Sequence, residues 1–211
     1  VGEREVARNK SNLVANANNE YESFEYDLNG NMTYDGKYSY EYDWKDRLVR
    51  VYEGSFQKAS YLYDVFDRRV SKRFYFADPD EDPVDYNYVY DGNNLVQEYR
   101  VDSVYSTCQE YVYGEGLDDL VMVKVNGQAY YYLKDRQNSV KQLVDASGQV
   151  FESYEYDPYG QTKVVKEQDK VFENPYQYTG RRFDAETGLY YYRLRMYHPE
   201  LGRFLQLDPA G

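Results

Sequence analysis

The residues with the clearest capacity for chemistry lie in the C-terminal tail of the chain. The only histidine, His198, lies there among five arginines. A histidine base needs a serine or cysteine partner at a recognisable motif, and none is present, so we expect His198 to be structural. The single cysteine, Cys108, is predicted to be a small residue in a strand. One histidine and one cysteine exclude a zinc site unless carboxylates supply ligands. The arginines are Arg181, Arg182, Arg193, Arg195 and Arg203.

Carboxylates form the second group of candidates. Asp208 opens a closing Asp-Pro-x-Gly sequence, which makes a good turn by itself. Residues 78–83, DPDEDP, form an acidic loop punctuated by proline. We interpret this loop as a solvated insertion, because its spacing matches no calcium-binding loop.

Composition limits the classes of function. The 211 residues carry a net charge of −12, which repels phosphate backbones and argues against nucleic-acid binding by this segment. No apolar run approaches the roughly 20 residues that span a bilayer. The first ten residues are charged throughout and do not resemble a signal peptide. Because the sequence starts at Val1, we interpret it as an internal piece of a longer polypeptide.

Seven copies of a short sequence motif, here called the repeat word, must position these residues. Each word is an aromatic residue, any residue, a tyrosine and usually an aspartate, with 16 to 27 residues between successive second tyrosines. Self-similarity at such a period indicates a repeat architecture, which usually builds a scaffold, a wall or a binding face. The words begin at Phe24, Tyr40, Tyr61, Tyr88, Tyr111, Tyr130 and Tyr154.

Each word predicts a strand, a turn and a returning strand. Tyrosines alternate with polar residues in YSYEYD, as in a strand with two different faces. The aspartate that follows opens a turn by accepting backbone hydrogen bonds. The pattern therefore predicts about seven β-hairpins followed by a cap. Turns are predicted at 27–31, 43–46, 91–94 and 157–160, and returning strands at 47–53, 68–76 and 94–100.

The tyrosine content predicts how the sheet meets water. The chain has 29 tyrosines against 9 phenylalanines and 1 tryptophan. A tyrosine has a large apolar ring and a hydroxyl that needs a partner or water. We therefore expect a broad sheet that lines a solvent-filled space, and not a tight sandwich with a dry core.

Together these features resemble the Rhs/YD-repeat proteins, named for the tyrosine–aspartate dipeptide. Residues 133–211 look like the Rhs repeat-associated core domain, and residues 21–132 look like upstream YD-repeat hairpins. Residues 1–20 are polar and repeat-poor, and we interpret them as a frayed start or the end of an upstream repeat. The matching strings are DRQNSVKQLVDASGQV, YEYDPYG, NPYQYTGRRFDAETGLYYYRLRMYHPELGRF and DPAG.

The resemblance implies an all-β fold. In this family a spiralling antiparallel sheet of hairpins forms a hollow shell, the core domain plugs one end, and a variable C-terminal domain, commonly a toxin, lies inside. This chain is too short to close such a shell, so we expect part of the wall or a smaller curled sheet. Its exposed edge is expected to pair with another chain.

The resemblance also implies an aspartyl site that cuts the chain between shell and cargo. Two close aspartates can share one proton, so that one acts as base and the other as acid, and a nearby arginine stabilises developing charge. Asp208 matches the first catalytic aspartate, and Arg195 matches the family's arginine. The second aspartate and the cut lie beyond Gly211 in the family, so the chain should be unable to complete self-cleavage.

Structural alternatives to these assignments stay open. Asp208 is also a turn residue, and Arg195 could belong to a buried ion pair that holds the plug. Asp184, Glu186 or Glu200 could in principle replace the missing aspartate, although we do not expect it. Arg193 and Arg203 are expected to be structural.

Three functions are compatible with the sequence. The first is a shell segment that encapsulates a C-terminal toxin or effector. The second is a teneurin-like adhesion or glycan-binding sheet, and the third is the acid half of a self-cleaving aspartyl peptidase, so enzymatic activity is left open.

The expected partners follow from the shell hypothesis. They are the enclosed cargo and the rest of the same shell or neighbouring chains, reached through sheet edges. No cofactor, metal, nucleic acid or membrane span is expected in this segment. A secreted or cell-surface location in a bacterium is expected, with an export route that this segment does not reveal.

Overall fold

The computed structural model describes residues 13–16, 19–102, 106–116, 118–167 and 172–208. Most of the predicted frayed start at 1–20 and the last three residues of DPAG lie outside these ranges. Within them the chain forms a fourteen-stranded sheet, a four-stranded sheet and one short 3-10 turn at Tyr178–Gly180. The predicted all-β fold is confirmed.

The large sheet contains strands β1 to β14 and the small sheet contains β15 to β18. The first seven strands are β1 Glu25–Tyr26, β2 Met32–Tyr34, β3 Tyr38–Tyr42, β4 Leu48–Glu53, β5 Phe56–Tyr63, β6 Arg69–Phe74 and β7 Val84–Asp91. The next seven are β8 Asn94–Val101, β9 Ser106–Tyr113, β10 Leu120–Val125, β11 Gln128–Lys134, β12 Val140–Asp145, β13 Val150–Tyr156 and β14 Thr162–Glu167. The small sheet has β15 Arg182–Asp184, β16 Leu189–Tyr192, β17 Arg195–His198 and β18 Arg203–Phe204.

Both sheets are meanders in which each strand pairs with its neighbours in sequence. All pairs are antiparallel, and the order runs from β1 to β14 without a crossover. The fourteen strands therefore form seven consecutive hairpins, as the repeat predicted. The large sheet continues past residue 133, where the character of the sequence changes. The domain boundary placed at that residue therefore stays a prediction.

The repeat word has a fixed place in the hairpins. The second tyrosine of each of the seven words lies on an odd-numbered strand, from Tyr26 on β1 to Tyr156 on β13. The aspartate after the word then opens the turn to the even-numbered strand. In these turns one carboxylate oxygen accepts the backbone N–H groups two and four residues later, which satisfies donors that would otherwise be unpaired. Asp27, Asp43, Asp64 and Asp157, each directly after a word, do so, and so do Asp135 in the β11–β12 turn and Asp145 in the β12–β13 turn.

Residues 172–208, here called the C-terminal plug, pack on one face of the large sheet. The plug reaches both ends of that sheet: the Leu205 carbonyl accepts the Met32 N–H at 2.8 Å, and the Tyr190 and Thr162 hydroxyls are 2.6 Å apart. Fourteen flat strands would extend about 60 Å, whereas four extend about 15 Å. The large sheet must therefore curl around the plug.

The buried core lies between the curled sheet and the plug. Leu189, Met196 and Leu205 of the plug join a cluster with residues of β2 to β5. Phe172 and Tyr176 join a second cluster with residues of β7 to β13. Burial of this apolar surface is the main favourable contribution to joining the two parts.

This packing corrects one expectation from the tyrosine content. The first tyrosines of the words do not line a solvent-filled space in this segment, because the plug covers them and most of their rings are buried. The hydroxyls of Tyr40 and Tyr111 bond buried carboxylates, those of Asp35 at 2.7 Å and Glu98 at 3.0 Å. Buried first tyrosines are Tyr40, Tyr61, Tyr88, Tyr111, Tyr130 and Tyr154.

Candidate active site

The structure brings Arg195 and Asp208 together. Arg195 begins β17, and Asp208 lies four residues after β18, so the β17–β18 hairpin returns the chain to its own start. Nη1 of Arg195 is 3.4 Å from Oδ2 of Asp208, and the Arg195 guanidinium lies 3.8 Å from the centre of the Phe204 ring. The Asp208 side chain is 65% exposed and that of Arg195 is 24% exposed. The carboxylate is therefore accessible to a reacting group.

Two contacts hold the segment just before Asp208. Oε1 of Gln206 accepts the Met196 N–H at 2.9 Å, which ties the segment to the residue after Arg195. Leu207 packs on Gly30 in the β1–β2 turn, where an added Cβ would lie 2.7 Å from Cδ1 of Leu207. Gly30 has φ +77°, a conformation that glycine adopts without penalty. The fourteen-stranded sheet, here called the wall, therefore helps to hold Asp208 near Arg195, together with the β17–β18 hairpin.

Arg195 and Asp208 open into a cavity of about 430 Å³. Its walls come from the β1–β2, β3–β4 and β5–β6 turns and from the end of the plug. Within the described ranges, three basic and three acidic side chains line it, so their formal charges balance. The charged lining residues are Lys45, Asp46, Arg47, Asp67, Arg195 and Asp208.

Sequence reasoning missed two carboxylates in this cavity, Asp46 and Asp67. Asp46 accepts hydrogen bonds from the side-chain amides of Asn29 at 2.8 Å and Asn31 at 2.7 Å. Asp67 contacts Lys45 at 2.9 Å and Arg47 at 2.7 Å. Each aspartate is thereby bonded to the preceding turn. These side-chain contacts link the β1–β2, β3–β4 and β5–β6 turns in a row.

A signal for these two residues is present in the sequence. Asp46 and Asp67 each lie three residues after the aspartate of a word, as DWKD and DVFD. Both have positive φ, about +60°, which aspartate tolerates better than most residues. A recurrent aspartate at this fourth turn position marks a residue that faces the preceding turn.

The three substitute carboxylates named from the sequence do not line this cavity. Asp184 is buried and contacts Arg69 at 2.5 Å and Lys72 at 3.2 Å. Burial alone would raise its pKa, but Arg69 and Lys72 outweigh burial and lower the pKa. Burial raises the pKa of Glu186, against the opposing effect of Lys72 at 3.0 Å. Asp184, Glu186 and Glu200 are all absent from the described lining.

His198 holds the plug to the wall, in agreement with the structural role expected for it. Its Nε2 lies 3.2 Å from Oδ2 of Asp35, and both side chains are buried. Asp35 also accepts the Tyr40 hydroxyl at 2.7 Å and the Tyr38 N–H at 2.7 Å. Burial would raise the pKa of Asp35, but the hydrogen bonds from His198, the backbone and Tyr40 lower it well below its usual value.

The remaining sequence candidates have structural partners. Arg193 forms an ion pair with Asp118, and the Arg203 guanidinium lies 4.8 Å from the centre of the Tyr21 ring. Cys108 is partly buried, and burial raises the pKa of its thiol. Among the described residues, no cluster of three His, Cys, Asp or Glu side chains suited to a metal ion is found. In the same part of the chain, no helix has the length and apolar character to cross a membrane.

Comparisons with known proteins agree with this architecture. Residues 9–210 match the family model described as Teneurin YD-shell. The chain is 36% identical over 190 residues to the tRNA3(Ser)-specific nuclease WapA of Bacillus spizizenii, which covers 89% of this chain and 8% of that protein. It is 26% identical over 215 residues to the Double-stranded DNA deaminase toxin A of Burkholderia cenocepacia, covering 89% of this chain and 15% of that protein. The chain therefore spans a small part of the length of these relatives.

The fold itself recurs in a solved structure. The crystal structure of TcdB2–TccC3 matches 88% of this chain and 10% of that chain, with a TM-score of 0.73 and 22% identity. At this identity the match establishes a shared fold. The fold of most of this chain is therefore known from another protein.

Proposed function

This chain belongs to the Teneurin YD-shell family, and from that premise we propose that it is a wall segment, with its plug, of a shell that encloses a C-terminal toxin or effector. The observation that carries the proposal is the closure of one sheet face by the plug from β2 to β14. The names and lengths of the relatives support it, because a nuclease and a deaminase toxin contain this region as a small part of a longer protein.

Enclosure would work by confinement. Each strand pairs with its neighbours, so no backbone edge is open between β1 and β14. The plug fills the inner face of these seven hairpins, so an enclosed polypeptide would lie against wall outside this segment. The edge strand β14, where Val164 and Val165 are about half exposed, would pair with further wall of the same shell or with a neighbouring chain. We propose a secreted or cell-surface location in a bacterium for the whole protein.

Arg195 and Asp208 would serve as one half of a self-cleaving aspartyl site. Asp208 is accessible, and Arg195 is close enough to stabilise its ionised form. A second carboxylate, brought into the cavity of about 430 Å³ by the chain that follows, would share a proton with Asp208. Cleavage would then separate shell from cargo while the shell remains closed.

The test uses the full-length polypeptide encoded by the gene, including the native sequence after Gly211. We expect spontaneous cleavage downstream of this segment, loss of cleavage in Asp208→Asn, and protection of the released cargo from added protease. The matched control is Asp82→Asn, which alters an exposed Asp-Pro pair in the 78–83 loop and should cleave normally. A cargo digested as fast as the isolated domain would overturn enclosure, and cleavage by Asp208→Asn would overturn the aspartyl role.

The alternative of an adhesion or glycan-binding sheet is favoured by exposed aromatic residues on neighbouring turns. Trp44 is 83% exposed and Phe66 is 74% exposed, and an aromatic ring can stack on a sugar. The tyrosine face is less suited to this role, because the plug covers it. A membrane-spanning segment encoded far upstream, with no cargo domain downstream, would favour adhesion over enclosure.

A further inference from the structure

A second cavity lies between the wall and the plug. Its volume is about 130 Å³, and it is enclosed by the β5–β6, β7–β8 and β9–β10 turns together with plug residues on either side of β16. Such a volume is about ten times what one water molecule needs. It therefore has room for a small chemical group, or for several ordered waters.

The charge of this cavity differs from that of the whole chain. Among the residues that the structure describes, four arginines and two aspartates line it, which gives a formal charge of +2 in a protein whose net charge is −12. A concentration of positive charge in a partly enclosed space attracts anions. The charged lining residues are Asp67, Arg68, Asp118, Arg181, Arg182 and Arg193.

The arginines have more N–H groups than the surrounding acceptors use. Arg181 and Arg193 share one carboxylate, that of Asp118, with Nη1 of Arg181 at 3.1 Å. Arg182 is buried and bonds Glu98 at 2.6 Å through Nη2. In the described part of the chain, Nε of Arg181 and both Nε and Nη1 of Arg182 have no hydrogen-bond partner. These three atoms are themselves inaccessible, and the Arg182 guanidinium lies over the Tyr88 and Tyr176 rings. The side chains of Arg181 and Arg193 are 25% and 36% exposed and share a single carboxylate, so they are the donors that an occupant of the cavity can reach.

The floor of the cavity is aromatic and apolar. Tyr90 and Tyr113 line it, but their hydroxyls are engaged with the backbone carbonyls of Arg69 at 2.8 Å and Leu95 at 3.1 Å. The rings are left to provide the contact surface. An occupant would thus meet both apolar ring surfaces and guanidinium groups.

We propose that this cavity is a binding site for a carboxylate carried on an aromatic or other apolar body. The carboxylate would take the guanidinium N–H groups of Arg181 and Arg193, which match its two oxygens, and the body would lie on the tyrosine rings. The carboxylate could belong to a free small molecule or to a peptide that ends beside the cavity. This proposal does not depend on enclosure or on self-cleavage.

The test is titration of the purified chain with benzoate, followed by calorimetry and by NMR of the tyrosine rings. We expect saturable binding at about millimolar concentration, as is usual for a ligand of this size. Benzamide, which has the same shape without the charge, should bind at least tenfold more weakly. A short peptide with a C-terminal phenylalanine, against the same peptide amidated, then distinguishes a peptide terminus from a free carboxylate.

Variants test the location of the site. Arg193→Gln should weaken benzoate binding about tenfold, whereas Arg73→Gln, which alters an exposed arginine paired with Asp85 outside the cavity, should leave it unchanged. Asp118→Asn should strengthen binding, because it removes the carboxylate that competes for the same guanidinium groups. This opposite sign separates a loss of ligand contacts from a loss of folding.

Three results would overturn the proposal. They are the absence of saturation, equal binding of benzamide, and equal weakening by Arg193→Gln and Arg73→Gln. Weaker binding in a folded Asp118→Asn variant would overturn it as well.

Discussion

The first and second tyrosines of the repeat word have different structural roles. The first tyrosine is buried under the plug, whereas the hydroxyl of the second usually donates to a backbone carbonyl at the start of the previous returning strand. Tyr132 departs from this pattern and bonds Asn174 of the plug at 3.0 Å. The pairs are Tyr42 with Met32, Tyr63 with Leu48, Tyr90 with Arg69, Tyr113 with Leu95 and Tyr156 with Val140.

Removal of one such hydroxyl should destabilise the wall. Tyr63→Phe loses the 2.8 Å bond to the Leu48 carbonyl and leaves a partly buried acceptor with one partner fewer. We expect the free energy of unfolding to fall by about 1–2 kcal/mol, measured by urea denaturation. Tyr99→Phe is the control, since Tyr99 is exposed and its hydroxyl bonds side chains and no backbone carbonyl of a neighbouring hairpin, so the effect should stay within about 0.5 kcal/mol. Equal losses in the two variants would contradict a structural role for the second tyrosine.

Asp35 should make stability dependent on pH. Its pKa is lowered in the folded protein, so its stabilisation is present above the unfolded value of about 4 and is lost as the pH falls below it. The groups that face it include His198, the Tyr40 hydroxyl and the N–H groups of Lys37 and Tyr38.

Asp35→Asn is the variant that isolates this contribution. We expect it to lower the free energy of unfolding by about 2 kcal/mol at pH 7, and by progressively less below about pH 4. Denaturation across this pH range measures the difference from the unmodified chain. A difference that stays constant down to pH 2 would show that the ionised carboxylate is not what stabilises this contact.

Among the elements of the fold, hairpin turns differ in whether they contact the plug. The β12–β13 turn, Asp145–Gln149, and the β13–β14 turn, Asp157–Gln161, have the same hydrogen bonds and the same glycine position. Gly148 has φ +84° and Gly160 has φ +88°. They differ in surroundings, because the Tyr178 ring of the plug packs on Gly160, whereas nothing lies within 4 Å of a Cβ added at Gly148.

This pair of glycines separates backbone strain from packing. Gly148→Ala should lower the free energy of unfolding by about 1–2 kcal/mol, the usual penalty for an alanine in the left-handed region. Gly160→Ala should lower it by about 1–3 kcal/mol more, because Tyr178 must also move. Thermal and urea unfolding of both variants measure the difference. Identical losses would mean that the contact between Gly160 and Tyr178 contributes nothing to docking of the plug.

Across the whole molecule, buried ion pairs fix how the plug sits in the curled sheet. Arg69 on β6 contacts Asp184 on β15 at 2.5 Å, and Glu98 on β8 contacts Arg182 on β15 at 2.6 Å. The Arg69 guanidinium also lies 4.3 Å from the centre of the Tyr191 ring. Because a buried charge without its partner is strongly unfavourable, only one register of β15 against the wall satisfies both pairs.

Neutralising one of these charges should loosen the plug. Asp184→Asn leaves Arg69 and Lys72 with less compensation, and we expect a loss of about 3–5 kcal/mol in the free energy of unfolding. Hydrogen exchange in β15 to β18 should accelerate before that of the large sheet. Asp85→Asn is the control, because its pair with Arg73 is exposed and contributes at most about 1 kcal/mol. Similar effects in both variants would show that the buried network does not hold the plug.

Much of the wall could be predicted from the sequence, because its determinants are local. The returning strands expected at 47–53, 68–76 and 94–100 are found as β4, β6 and β8, with ends shifted by one or two residues. The match is close because alternation of side chains and turn-forming aspartates act over a few neighbouring residues. The catalytic assignment of Asp208 and Arg195 stays a prediction, although the two side chains do meet.

The sequence by itself determined the hairpins, their number and their order, since each is encoded within one repeat. Only the tertiary structure decided that the tyrosine face is filled by the plug, that Asp46 and Asp67 share a cavity with Asp208, and that four arginines meet between wall and plug. These features join residues far apart in the chain, and they depend on how strongly the sheet curls. Curling is a sum of small twists between adjacent strands, and no single segment of the sequence specifies that sum.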